Sequence, residues 1–140
     1  MDPLASRQML LTHFRGERDQ DLDATMAPVS MHATWRFPNY RLEGREAVQA
    51  FYAKTLAGLP EGWMDECIGA LDDPQITLWR PTNCVIEYSD AYPMHRGWVM
   101  VVHFDEDGIR SENVYPRPDS GIDPDLGEDF DALPEVTRLA

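Results

Sequence analysis

The chain has 140 residues, is 43% hydrophobic and carries a formal net charge of -13 at pH 7, enough for one domain with a real core; residues 1–118 are read as that domain and 119–140 as an acidic C-terminal tail. So acidic a balance argues against nucleic acid or an anionic membrane as partner, because phosphates are neutralised by basic surfaces. Cys67 and Cys84 form neither a disulfide framework nor a metal-ligand spacing, and the opening Met-Asp-Pro-Leu has no basic n-region, so a cytoplasmic protein without metal or membrane span is expected.

In chain order, residues 3–18 are predicted as a first helix, with Met9, Leu10, His13 and Phe14 on one side. Residues 21–26 form a short second helix with Asp21 as its N-cap. Val29, Met31, Ala33, Trp35 and Phe37 alternate with Ser30, His32, Thr34 and Arg36, the period of a strand with one buried face. Pro38-Asn39-Tyr40 reads as a loop leading to the main helix at Gly44, whose stripe is Val48, Phe51, Tyr52, Leu56 and Leu59. Beyond Pro60, residues 63–71 read as a strand, 72–74 as a turn and 76–79 as a further extended piece. Strands are predicted at 85–92, 98–104 and 109–115, separated by a loop at 93–97 and by the Asp-Gly turn ending at Gly108. Helices that precede antiparallel hairpins make the class α+β rather than doubly wound. The acidic tail is expected to be solvated, although Leu126, Phe130 and Leu133 share a helical spacing that would let it dock.

This order of elements, with Gly-Arg-Glu-Ala-Val-Gln-Ala-Phe-Tyr at 44–52, Phe-Asp-Glu-Asp-Gly at 104–108 and Glu-Asn-Val-Tyr at 112–115, resembles the nuclear transport factor 2-like superfamily over about residues 5–117. The superfamily includes ketosteroid isomerase and the SnoaL-like polyketide cyclases. The resemblance implies a cone-shaped SnoaL-like α+β barrel domain: a curved mixed or antiparallel sheet wrapped around a long helix, as in the cystatin-like roll. It also implies a homodimer packed through the open sheet face and chemistry without a cofactor. Against ketosteroid isomerase, Phe37 stands where the base would be, Met100 where the protonated aspartate would be, His13 at the donor tyrosine and Tyr52 at its supporting tyrosine. Steroid-type isomerisation is therefore not expected. Against the cyclases, Val114 takes the place of the acid, and Glu112 stands two residues earlier on the same strand face.

Glu112 is thus expected to point into the cone, with Glu87 as a second carboxyl candidate and His13 and Tyr52 as proton donors. Trp35, Phe37, Phe51, Trp98, Met100 and Val114 are expected as pocket walls. A carboxyl group among such walls is desolvated, which suits it to proton transfer near neutral pH. The expectation is acid–base chemistry, as an isomerase, lyase or cyclase, on a small apolar carbonyl or polyketide-like molecule. Each residue also has a plainer role: His13 as a core histidine bonded to a carbonyl, Glu112 on a solvated strand face, and Glu87 paired with Arg96. His32 and His103 are read on the opposite strand faces and His95 in a loop. The alternative is a module of the same fold that binds a small ligand or assembles without catalysis.

Overall fold

The computed structural model describes residues 2–118 and 126–139. Helix α1 (Pro3–Arg18) starts where the side chain of Asp2 accepts the Leu4 amide at 3.0 Å, with Pro3 in the turn where a missing N–H costs nothing. Its buried face includes Leu10, His13, Phe14 and Glu17. Helix α2 (Leu22–Met26) is capped by Asp21, which accepts from the Ala24 amide at 3.1 Å. The two helices meet at Gly16, where a Cβ would lie 2.4 Å from the Thr25 backbone nitrogen. Only glycine allows that approach.

Strands β1 (Val29–Arg36) and β2 (Tyr40–Glu43) form a hairpin around Pro38-Asn39, closed by a Phe37 N–H to Tyr40 carbonyl bond of 2.9 Å. The predicted alternation along β1 fails near its start. Pairing with the later strand shifts register between Val29 and Thr34, and the bulge leaves Ser30 1% exposed and Met31 69% exposed. Alternation resumes with Ala33 and Trp35 inward. β2 is a strand where the sequence predicts a loop. It places only Tyr40 and Leu42 inward, too few for a period of two to stand out.

Helix α3 (Arg45–Thr55) buries Ala47, Val48, Phe51 and Tyr52 and packs on β1. Residues 63–71, predicted as a strand, instead form helix α4 (Trp63–Ala70). Met64, Cys67, Ala70 and Leu71 are buried at a spacing of three to four, a helical period hidden by the apolar residues between them. Asp65 and Glu66 in the first turn complement the positive end of the helix.

Strands β3 (Thr77–Trp79), β4 (Asn83–Glu87), β5 (Val99–Asp105) and β6 (Gly108–Tyr115) form an antiparallel meander, and β6 then pairs in parallel with β1. β4 ends five residues short of its predicted limit because residues 89–97 turn back on themselves. The tail does not stay in solvent from Leu126 onward. Helix α5 (Glu128–Asp131) buries Phe130 against Tyr40, edge-on at 5.4 Å, and β7 (Val136–Arg138) pairs with β2. Residues 119–125 of that tail lie outside the described residues. The sheet order is β3-β4-β5-β6-β1-β2-β7, so the sheet is mixed and does not close into a barrel. α1 and α3 pack on β6, β1 and β2, with α4 against α1. Among the described residues no helix is long and apolar enough to cross a membrane.

Candidate functional site

In the parallel register of β1 and β6, Trp35 lies directly opposite Glu112, so both side chains leave the same face of the sheet. Helix α3 brings Tyr52 onto them, and α1 brings His13 and Glu17, one turn apart on a single helix face. Trp35 Nε1–H donates to the Tyr52 hydroxyl at 2.8 Å. That hydroxyl lies 3.0 Å from His13 Nε2 and 3.3 Å from Glu112 Oε2. His13 Nε2 is also 3.3 Å from Glu17 Oε2 and 3.6 Å from Glu112 Oε2. His13 is fully buried, Tyr52 and Glu112 are 3% and 4% exposed, and Glu17 is 9% exposed.

The tautomer follows from the partners. His13 Nδ1 is 2.7 Å from the Thr25 carbonyl oxygen, which only accepts, so Nδ1 carries a hydrogen and Nε2 is the nitrogen that exchanges a proton with the site. Burial alone would push His13 down, but the charges of Glu17 and Glu112 and a hydrogen bond to Glu112 outweigh it and raise the imidazole to about 9. Burial pushes the Glu17 carboxyl up to about 8, with Glu112 adding repulsion and His13 pulling the other way. Burial also raises the Tyr52 phenol, followed by the charges of Glu112 and Glu17, so its O–H is retained. Near neutral pH His13 and Glu17 therefore hold protons more tightly than solvated groups would, and share them beside Glu112.

Glu17, Tyr52 and Glu112 open into a cavity of about 470 Å³ whose walls include Phe37, Phe51, Trp98, Met100 and Val114. Phe37 and Phe51 stack there at 4.6 Å. All five residues are among the predicted walls. Trp35 is not: it is fully buried behind Tyr52, and its contribution is the indole N–H that holds the phenol. His13 likewise stands behind the cavity surface and reaches it through Glu17, Tyr52 and Glu112.

Glu87 has no part in the cluster. Cys84 and Ile86 of β4, and Tyr88 just after it, point inward, so the period of two turns Glu87 out to solvent. His32 and His103 are exposed, on the faces expected for them. Two features lie outside the sequence reading. Glu17 was open to discovery as the residue four after His13 on the same helix face. His95, read as a loop histidine, is fully buried and lines the cavity, because residues 89–97 fold back over α4. No local period marks that return.

No protein-family model matches the sequence, and no curated protein matches it. Solved structures do match in three dimensions. One is a nuclear transport factor 2-like protein of unknown function from Burkholderia xenovorans LB400, with a TM-score of 0.54 and 18% identity over 89% of this chain and 88% of that one. Another, of the same description and from Cytophaga hutchinsonii ATCC 33406, has a TM-score of 0.50 and 14% identity over 81% and 90% of the two chains. A protein of unknown function with a cystatin-like fold from Methylobium petroleophilum PM1 has a TM-score of 0.50 and 13% identity over 91% and 88%. The chain thus has the nuclear transport factor 2-like, cystatin-like fold, a fold that fits small-molecule binding or catalysis without naming an activity.

Proposed function

We propose that the chain is a cofactor-independent enzyme that moves protons on a small apolar carbonyl or polyketide-like molecule, as an isomerase, lyase or cyclase. The observation that supports this is a buried imidazole held between two carboxyl groups at the end of an apolar cavity. Glu112 acts as the base on a carbon next to the carbonyl, and the bond's electron pair moves toward the carbonyl oxygen. Glu17, which lines the cavity and shares a proton with His13, delivers it to that oxygen. His13 Nε2, within reach of both carboxyl groups, returns the proton between them so that the cluster resets. Tyr52, fixed by Trp35, orients Glu112. The apolar walls exclude water from the enol, and the cluster offsets the negative charge that develops on the carbonyl oxygen as the proton arrives, in a medium of low dielectric.

Incubation with small ketones in D₂O, followed by proton NMR, tests the reading. Loss of α-proton signals faster than in buffer, abolished by Glu112→Gln, is expected. If ketones bind with saturation but no variant or wild-type protein exchanges their protons, the reading fails and the chain is a binding module. For quaternary structure we propose the homodimer through the outer sheet face, where Leu78 and Tyr115 are 53% and 52% exposed. A monomer mass by light scattering would contradict it.

A further inference from the structure

A second polar group lines the same cavity and shares no residue with the first. Helix α4 begins after Gly62, which sits in the left-handed region at φ 84°, and carries Trp63, Glu66 and Cys67 toward the turn of residues 93–97. His95 from that turn is fully buried. Its Nδ1 is 3.0 Å from Glu66 Oε1, and its Nε2 is 3.4 Å from Cys67 Sγ. Glu66 is itself held in place by the backbone N–H groups of Met94 and His95, at 3.1 Å and 3.2 Å. Trp63 lies at 4.1 Å from the ring, Tyr88 stacks on it at 4.9 Å, and Trp98 meets it edge-on at 5.3 Å, so the imidazole plane is fixed.

These contacts set the direction of the hydrogens. The carboxylate accepts at Nδ1, which must therefore donate; Nε2 is left with a lone pair, and the Cys67 thiol is the donor that meets it. Nucleophile, base and orienting carboxylate thus stand in hydrogen-bond sequence, with Cys67 and His95 both on the cavity wall. We propose that Cys67 is a second reactive centre, a nucleophile with His95 as its base and Glu66 as positioning residue, that adds reversibly to a small apolar α,β-unsaturated carbonyl compound.

The step balances without a co-reactant. Sγ bonds to the β-carbon, the C=C π pair shifts toward the α-carbon and carbonyl oxygen, and the thiol proton passes to Nε2. The imidazolium, paired with Glu66, then gives that proton to the α-carbon. A saturated thioether results, nothing leaves, and no electrons enter or depart. The electrostatics disfavour a standing thiolate, so the thiol proton leaves only as the C–S bond forms. Burial raises the Cys67 thiol, partly opposed by the Tyr88 hydroxyl, and burial lowers His95 against the pull of Glu66, so both groups rest neutral. Cys84, fully buried and away from the cavity walls, is the internal reference.

The test is incubation of the full chain with cyclohex-2-en-1-one, followed by intact-mass and peptide mass spectrometry, with circular dichroism to verify that the protein stays folded. One adduct is expected, on Cys67 and not on Cys84, and Cys67→Ser removes it. Glu66→Gln and His95→Gln each slow its formation by at least about tenfold, the ordinary scale of lost base assistance. Should His95→Gln unfold, Glu66→Gln decides, since the amide oxygen still accepts from the two backbone N–H groups. No adduct on folded protein, labelling of Cys67 no faster than of Cys84, or an unchanged rate in a folded Glu66→Gln protein would each overturn the assignment. The readout involves no α-proton exchange, so it stands or falls independently of the function proposed above.

Discussion

His13 and Glu17 lie one turn apart on α1 and face each other at 3.3 Å with the imidazole wholly buried. Two shifted groups follow, and both tilt stability in the same direction with pH. His13 rises from 6.5 to about 9, so its contribution is complete below pH 6.5 and lost as pH climbs through 9. Glu17 rises from 4.5 to about 8, so folding is opposed increasingly above pH 4.5 until pH 8. Thermal midpoints should therefore fall from pH 5.5 to pH 9, by an amount on the order of a few kcal/mol in free energy. Glu17→Gln should flatten the fall; a midpoint that rises over this interval would contradict the arrangement.

The two strand carboxylates separate function from exposure. Glu112→Gln is expected to lower α-proton exchange by at least about a hundredfold, the scale of a lost general base. Glu87→Gln, on the solvent side of β4, should leave both exchange and stability unchanged. Equal rates for the two variants would remove Glu112 from the reaction.

Tyr52 links the side chains of His13, Trp35 and Glu112 through one hydroxyl. Tyr52→Phe leaves the buried Trp35 Nε1–H without the acceptor it has at 2.8 Å. The expected loss is about 1–3 kcal/mol in denaturant unfolding, the penalty of an unsatisfied buried donor. No measurable loss would mean that another acceptor takes over the indole.

Gly16→Ala should destabilise by about 1–3 kcal/mol despite the better helix propensity of alanine, because the new Cβ meets the backbone of α2 at 2.4 Å. Gly58→Ala, with nothing within 4 Å, is the matched control and should be near neutral. Similar midpoints for the two would refute the close crossing.

Phe130→Ala removes a side chain 1% exposed that packs on Tyr40. A loss of about 3–5 kcal/mol is expected for burial of this kind. It should be accompanied by faster hydrogen exchange of the β2 amides, which β7 otherwise covers. Unaltered exchange there would show that α5 is not what holds β7 in place.

What was legible in the sequence was what local chemistry specifies. Asp21 as a cap, Gly44 before the main helix and Asp-Gly at 107–108 each act on their immediate neighbours, and each element appears where expected. Phe51, Met100 and Val114 reached the cavity because period and register hold within α3, β5 and β6. Residues 63–71 misled because apolar side chains on several sides of α4 leave no clean period. Met31 misled because the β1 bulge is set by pairing with a distant strand. Glu87 required a register that a one-residue slip reverses. His95 became a cavity residue through a long-range fold-back that composition cannot report.

The parallel pairing of β1 with β6 has a consequence for how the protein is made. Trp35 meets Glu112 only after every intervening element has been synthesised, and contacts so distant in sequence close slowly because the loop entropy is met first. A ribosome-bound chain that ends before Ser111 carries His13, Glu17 and Tyr52 but lacks most of β6, the parallel neighbour of β1, and with it Glu112. The acid–base cluster is then a late product of folding. Stalled chains should expose the apolar faces of α1 and α3 to chaperones until β6 leaves the exit tunnel.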